Sequence, residues 1–163
     1  MARGTFRLGY EKLFNQLDSN NDNVLVEADF TALAQRICTE FAVAAQSARG
    51  EEVRQRLERI WQAIQQHADA DGNQGVSRRE WVTAARDPEF VLSSAAPAAM
   101  TIFDLADHDG DGRLDRQEFT LLQRCLGSSD AESVEAFGTL DADGDGYITK
   151  SEYADAAVDY FQA

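Results

Sequence analysis

The stretch Asp107-His108-Asp109-Gly110-Asp111-Gly112-Arg113-Leu114-Asp115-Arg116-Gln117-Glu118 decides how this chain folds. Acidic side chains stand at its positions 1, 3, 5, 9 and 12, and Gly112 at position 6. A hard divalent cation such as Ca²⁺ takes roughly six to eight oxygens at about 2.3–2.6 Å. A chain supplies that many only by curling around the ion, so alternate residues turn inward. Gly112 takes the sharp turn, because a residue without Cβ tolerates positive φ. Arg113 contributes its backbone carbonyl, which leaves its side chain free. Asp115 reaches the ion through a water. Glu118 swings back from the first turn of the next helix and binds with both oxygens. Leu114 points away from the metal, towards a partner loop. The spacing is that of a calcium loop set between two helices.

The unit recurs. Asp141, Asp143, Asp145, the Tyr147 carbonyl, Thr149 or a water it holds, and Glu152 repeat the ligand set, with Gly146 at the turn. A third copy reads Asp69, Asp71, Asn73, the Gly75 carbonyl, Ser77 and Glu80, with Gln74 in place of the turn glycine. That replacement costs about 1 kcal/mol or more of backbone strain. A fourth copy reads Asp18, Asn20, Asp22, the Val24 carbonyl and Asp29, with Asn23 at the turn and Val26 at position 9. Asn tolerates the left-handed region better than Gln. Asp29 is one methylene shorter than the glutamates of the other copies. It favours a smaller shell, so this loop is expected to hold Ca²⁺ more weakly or to accept Mg²⁺. Three to four Ca²⁺ are therefore expected.

The flanks repeat as well. An aromatic residue follows each position 12: Phe30, Trp81, Phe119 and Tyr153. Phe14, Phe103 and Phe137 each stand four residues before a loop, where the other copy has Gln65. These are core-facing positions at the helical period. Position 8 is apolar in every copy, and the expected antiparallel bridges join Leu25 to Val76 and Leu114 to Ile148. The pattern predicts helices over about 5–17, 27–47, 51–68, 78–86, 97–106, 116–126, 130–140 and 150–161, with breaks at Gly50 and at Ser93–Ser94. The fold class is all-α: four helix–loop–helix EF-hand units in two packed pairs, residues 1–90 and 91–163.

The net charge of −14 argues against nucleic acid and anionic membrane surfaces as partners. No stretch of about 18 apolar residues suggests a membrane span. The start, Met1-Ala2-Arg3-Gly4-Thr5-Phe6, shows neither the apolar core of a signal peptide nor a myristoylation motif. Cys38 and Cys125 are read as reduced core residues. Carboxylates at ligand positions account for 15 of the 29 acidic residues. Four Ca²⁺ would bring the charge from −14 to −6, so the metal-free chain is expected to be looser than the loaded one. His67 and His108 are read as solvated, and no nucleophile–base pairing suggests an enzyme.

Four loops with a long first inter-loop segment resemble the sarcoplasmic calcium-binding proteins and their bacterial relative calerythrin. The resemblance spans essentially the whole chain. It implies a compact fold with the two pairs packed on each other, and a calcium-buffering or transport role in the cytoplasm. The alternative is a sensor or regulatory adaptor that opens a surface to a protein target. Sensors rely on Met-rich grooves, and this chain has two methionines, so the residues favour a monomeric buffer with no indicated target.

Overall fold

The computed structural model describes residues 9–162. Their elements run in chain order as α1 (Gly9–Leu17), β1 (Val24–Leu25), α2 (Glu27–Glu40), α3 (Ala48–Ala68), β2 (Val76–Ser77) and α4 (Arg78–Ala85). They continue with α5 (Pro88–Ala106), β3 (Arg113–Leu114), α6 (Arg116–Cys125), α7 (Asp130–Leu140), β4 (Ile148–Thr149) and α8 (Lys150–Gln162). The part of the first predicted helix before Gly9 lies outside the described residues. β1 pairs antiparallel with β2 and β3 with β4, and Leu25 faces Val76 as Leu114 faces Ile148. The expected bridges are therefore formed.

The helix-exit aromatics Phe30, Trp81 and Phe119 and the helix-entry residues Phe14, Phe103 and Phe137 are all buried. They belong to one core with Trp61, Ile64, Leu33 and Leu122. Trp81 packs against both Phe14 and Phe90, with centroids 6.1 and 5.9 Å away, and Phe30 against Trp61 at 5.4 Å. Each such ring contributes about 1.5–3 kcal/mol by leaving water. Cys38 on α2 and Cys125 on α6 are free and buried. Burial pushes the Cys125 thiol up to about 12, which leaves it inert at neutral pH. The two pairs are not strung apart: α2 packs on α6, α8 on α1, and α3 on α5.

Three segments differ from the periodicity reading. α2 stops at Glu40 rather than near residue 47. Ala42 adopts φ 54°, the Ala42 amide donates to Thr39 O and the Val43 amide to Cys38 O. These bonds close the last turn, a task normally given to glycine. Gly50 is not a break. It lies in the first turn of α3, capped by Ser47, because a Cβ there would sit 2.4 Å from the Ala44 carbonyl oxygen. Ser93–Ser94 is not a break either, since α5 runs unbroken through a π-turn at Val91–Ala95. There the Ala96 amide reaches back to Val91 O, which shifts the ladder just before Pro97, a residue with no amide to give. The 90/91 boundary thus falls within α5.

At 19 residues, α5 is long and apolar enough to cross a membrane by length and composition. The expectation of no such stretch counted consecutive apolar residues, and Glu89, Ser93, Ser94 and Asp104 interrupt this one. Here Phe90, Val91, Phe103 and Leu105 of α5 enter the core, and its last turn leads into a calcium loop. Its Asp104 meets Lys150 Nζ at 2.8 Å and Arg56 at 3.8 Å. Arg49 donates to the Asp104 and Leu105 carbonyls, so the α2–α3 segment is tied to the entry of the third loop.

Candidate metal centres

Each loop is shaped by its own acids. The position-1 carboxylate accepts the amides of positions 5 and 6. Asp107 takes Asp111 N at 3.2 Å and Gly112 N at 2.9 Å, and Asp141 takes Asp145 N at 3.1 Å and Gly146 N at 2.9 Å. Asp69 takes Asn73 N and Gln74 N, and Asp18 takes Asp22 N and Asn23 N. Position 3 accepts from position 5, and position 5 from position 7, as in Asp109 from Asp111 and Asp111 from Arg113. Asp143 and Asp145 repeat this in the fourth loop, and Asp71 and Asn73 in the second. In the first loop Asn20 accepts from Asp22 and Asp22 from Val24.

The turn demands positive φ in all four: 83° at Gly112, 86° at Gly146, 69° at Gln74 and 66° at Asn23. Gln74 takes that turn without glycine's freedom. Asn23 uses its side chain, which accepts from Arg78 at 3.0 Å.

The position-12 residue closes the ring. Glu118 Oε1 accepts from His108 N and Asp109 N, and its Oε2 accepts from Asp115 N. Asp115 in turn accepts from Glu118 N at 2.8 Å. Ser77 with Glu80 and Thr149 with Glu152 form the same reciprocal cap on α4 and α8. Position 9 therefore caps the exiting helix, a role that spacing alone did not reveal.

Three groups bring a carboxylate oxygen from each member within 4.8 Å of the others: Asp69, Asp71 and Glu80; Asp107, Asp109 and Glu118; Asp141, Asp143 and Glu152. A separation of that size is about twice a Ca–O distance, so one ion can touch all three. The first loop forms no such group among the described residues. Asp29 is only 2% exposed. Its Oδ1 accepts from Ser19 N and Ser19 Oγ, and its Oδ2 from Val26 N. The short side chain still reaches the position-2 amide, as Glu118 reaches His108 N, and the Ser19 hydroxyl, which sequence reasoning passed over, adds a bond that holds it there.

The charges press on one another. At Asp109 the Asp111 amide pulls the carboxyl down, but burial and the neighbouring Asp111 and Asp107 charges hold it above the usual range. Asp71 and Asp143 are raised in the same way, against the amides of Asn73 and Asp145. Burial pushes Glu118 up. Burial also acts on Asp141 and Asp111, yet the Gly146 amide and the Arg113 amide and guanidinium outweigh it and hold each below the usual range. A divalent cation relieves the raised groups most.

The paired loops also touch through side chains that no ligand pattern names. Arg113 lies over the Tyr147 ring at 3.7 Å, position 7 against position 7. In the other pair a Cβ on Gly75 would meet Val24 at 2.9 Å, so there the contact is made by absence of a side chain. Position-10 cations cover the partner's entry phenylalanine: Arg78 over Phe14, Arg116 over Phe137 and Lys150 over Phe103.

Residues 97–158 match the model of the EF-hand domain pair. Calerythrin of Saccharopolyspora erythraea is 23% identical over 156 residues, covering 92% of this chain and 88% of its own length. A solved Streptomyces coelicolor calcium-binding protein, described in terms of prokaryotic calcium-mediated regulation, superposes with a TM-score of 0.81. It is 29% identical, over 96% of this chain and 98% of that one. The calcium-loaded apo form of the coelenterazine-binding protein from Renilla muelleri has the same fold, with a TM-score of 0.75 at 22% identity over 98% of this chain and 88% of that one. With its loop pairs, acid groups and whole-chain likeness taken together, the chain is a calerythrin-like EF-hand protein that binds calcium ions.

Proposed function

We propose that the protein is a monomeric cytoplasmic calcium buffer that takes up three to four Ca²⁺. The third loop binds through Asp107, Asp109, Asp111, the Arg113 carbonyl, Glu118 and a water on Asp115. The fourth binds through Asp141, Asp143, Asp145, the Tyr147 carbonyl, Glu152 and Thr149 or its water. The second uses Asp69, Asp71, Asn73, the Gly75 carbonyl, Ser77 and Glu80. The first uses Asp18, Asn20, Asp22, the Val24 carbonyl and one oxygen of Asp29, and is the weakest and the one open to Mg²⁺. The net charge of −14 supports cations rather than nucleic acid or anionic membranes as partners. The acids serve binding, and no catalytic role is assigned to them.

One observation carries the buffer reading: the apolar faces of the two pairs are spent on each other. α2 covers α6 and α8 covers α1. Among the described residues the exposed large hydrophobics are Leu92, at 64%, and Val134, at 55%, on different helices. A sensor keeps a contiguous apolar groove to release on binding calcium. The second reading, a sensor, draws on the regulation named for the Streptomyces coelicolor relative. A hydrophobic dye titrated with and without calcium separates the two. Unchanged or reduced fluorescence on adding calcium supports the buffer, and a large rise supports the sensor. Calorimetric calcium titration with and without Mg²⁺ counts the sites, and a total below three refutes the proposed capacity.

A further inference from the structure

We propose that the α2–α3 connection is a strap that holds the third calcium loop in its ligand-bearing shape, with Phe41 and Arg49 as its positioning residues. The strap matters only if the third loop is a calcium site, as proposed. That loop carries five carboxylates at ligand positions, Asp107, Asp109, Asp111, Asp115 and Glu118, against three or four in each of the others. Gathering more like charges costs more, so this loop gains most from a neighbour that fixes its frame.

The strap, residues 41–47, is bonded down along its length. The left-handed Ala42 turns the chain out of α2. Ala44 O accepts from the Ser47 amide at 3.0 Å and from the Ser47 hydroxyl at 2.6 Å. Ala45 O accepts from Arg54. The missing Cβ of Gly50 lets both carbonyls lie against the first turn of α3. Connecting segments are ordinarily the more mobile parts of a fold, and this one is built to stay in place.

Both ends of the strap meet the third loop. At one end the buried Phe41 ring lies 6.1 Å from the ring of His108, loop position 2, within the range of aromatic pairing. At the other, Arg49 sends one terminal nitrogen to Asp104 O at 3.4 Å and to Leu105 O at 3.3 Å. Those carbonyls belong to the last turn of α5, where a helix has no amides left to offer. A cation there also meets the negative end of the helix dipole. Glu52 steadies Arg49 at 3.0 Å and Arg56 at 2.7 Å, and Arg56 faces the Asp104 carboxylate at 3.8 Å. The same carboxylate takes Lys150 of the fourth loop at 2.8 Å.

The loop's entry is therefore gripped before and after Asp107, the first ligand. Glu118 closes onto the amides of His108 and Asp109 in that position. The grip favours the geometry in which Asp107, Asp109 and Glu118 bring oxygens within 4.8 Å of one another. A loop held in that shape has less to order when the ion binds. The N-terminal pair thus raises calcium affinity at the third loop through residues that are not ligands.

The test uses the full chain with a competing chelator that sets the free calcium. Nuclear magnetic resonance follows the backbone amides of Gly112 and Gly146, one for each C-terminal loop. Arg49→Met keeps the stem and removes the donors, and Phe41→Leu removes the ring. Each is expected to raise the calcium midpoint at Gly112 about fivefold, the lower end of ordinary coupling between sites, with a smaller shift at Gly146. Arg49→Lys keeps the charge and a donor and should restore most of the affinity. Ile64→Val, buried near the second-loop end of α3, lowers the melting temperature and should leave the Gly112 midpoint in place. An unchanged Gly112 midpoint in both Arg49→Met and Phe41→Leu, or a shift as large in Ile64→Val, would overturn the strap and leave the calcium site standing. A parent protein whose Gly112 amide ignores calcium would overturn the site itself, and the strap with it.

Discussion

Replacing Gln74 by glycine should stabilise the protein, and the structure says by how much. Gln74 holds φ 69° where Gly112 and Gly146 hold 83° and 86°. A non-glycine residue in that region costs about 1–2 kcal/mol. Glycine in the unfolded chain gives back roughly 0.5–1 kcal/mol in entropy. The side chain is exposed, and only the Gln74 amide, which glycine keeps, is bonded to Asp69. The net gain is then about 0.5–1 kcal/mol, or roughly 1–4 °C in melting temperature for a chain of this size. Asn23→Gly is the control at the equivalent turn. Asn bears the left-handed region more cheaply, and its side chain accepts from Arg78. That variant should be neutral or destabilised. Thermal unfolding followed by circular dichroism, in chelator and in saturating calcium, reads both. If the turn is the same with and without a cation, the gain is equal in the two conditions and calcium affinity at the second loop is unchanged. A Gln74→Gly protein that melts lower than the parent would refute the strain argument. A gain confined to the calcium-loaded state would show instead that the turn forms only on binding.

The remaining predictions concern the loops and their charge. Glu118→Gln should remove the third site from a calorimetric titration, because one charged oxygen ligand is worth about 3 kcal/mol, a hundredfold in affinity; an unchanged site count would contradict the ring-closing role of Glu118. Asp29→Glu should raise calcium affinity at the first loop about tenfold, equivalent to roughly 1.4 kcal/mol, by bringing a second carboxylate oxygen within reach of the ion; no gain would refute the account of the short side chain. The pH dependence follows from Asp71, Asp109, Asp143 and Glu118, whose folded-state values are raised. Their repulsion weighs on the metal-free fold at and above those values and fades as protons bind. Metal-free protein should therefore melt higher at mildly acidic pH than at neutrality, while calcium affinity falls. Further acidification reverses the gain as Asp111 and Asp141, held low, give up the stability they contribute above the usual carboxylate range. A melting temperature that falls steadily from neutrality would contradict the direction of the raised groups.

The calcium loops were legible because each ligand position is filled by residue type at fixed spacing, and the position-8 bridges because an apolar residue recurs in register. The helix ends were legible only where the closing residue is the usual one. α6 ends at Gly127 with φ 83°, its amide donating to Arg124 O and the Ser128 amide to Gln123 O, and the sequence announces it. α2 ends by the same bonds at Ala42, and nothing in an alanine announces a left-handed residue. Gly50 misled in the opposite sense. It was read as conformational punctuation, yet it is small for the sake of a carbonyl that belongs to the preceding turn. Ser93 and Ser94 suggested a break, yet the helix runs on through them, and the π-turn accommodates Pro97, which has no amide to give.

What single-loop spacing could not show is that each EF-hand is completed by its partner. Arg78, Arg116 and Lys150 occupy position 10, which no ligand rule constrains, yet each lies over the entry phenylalanine of the other hand in its pair. The sequence departs from this scheme at one hand-to-hand contact, and in both partners together: the first loop has Glu27 at position 10, and the second loop's entry residue is Gln65 rather than Phe. The same holds at position 7, where Arg113 meets Tyr147 in one pair, while in the other Gly75 yields the space that Val24 fills. Residues that look unconstrained within one loop are constrained across the pair. The weaker binding proposed for the first loop then has two sources. Asp29 is short and pinned by Ser19, and the cation over an entry phenylalanine is lacking between its exit helix and the second hand's entry helix, which meet instead through Phe30 and Trp61.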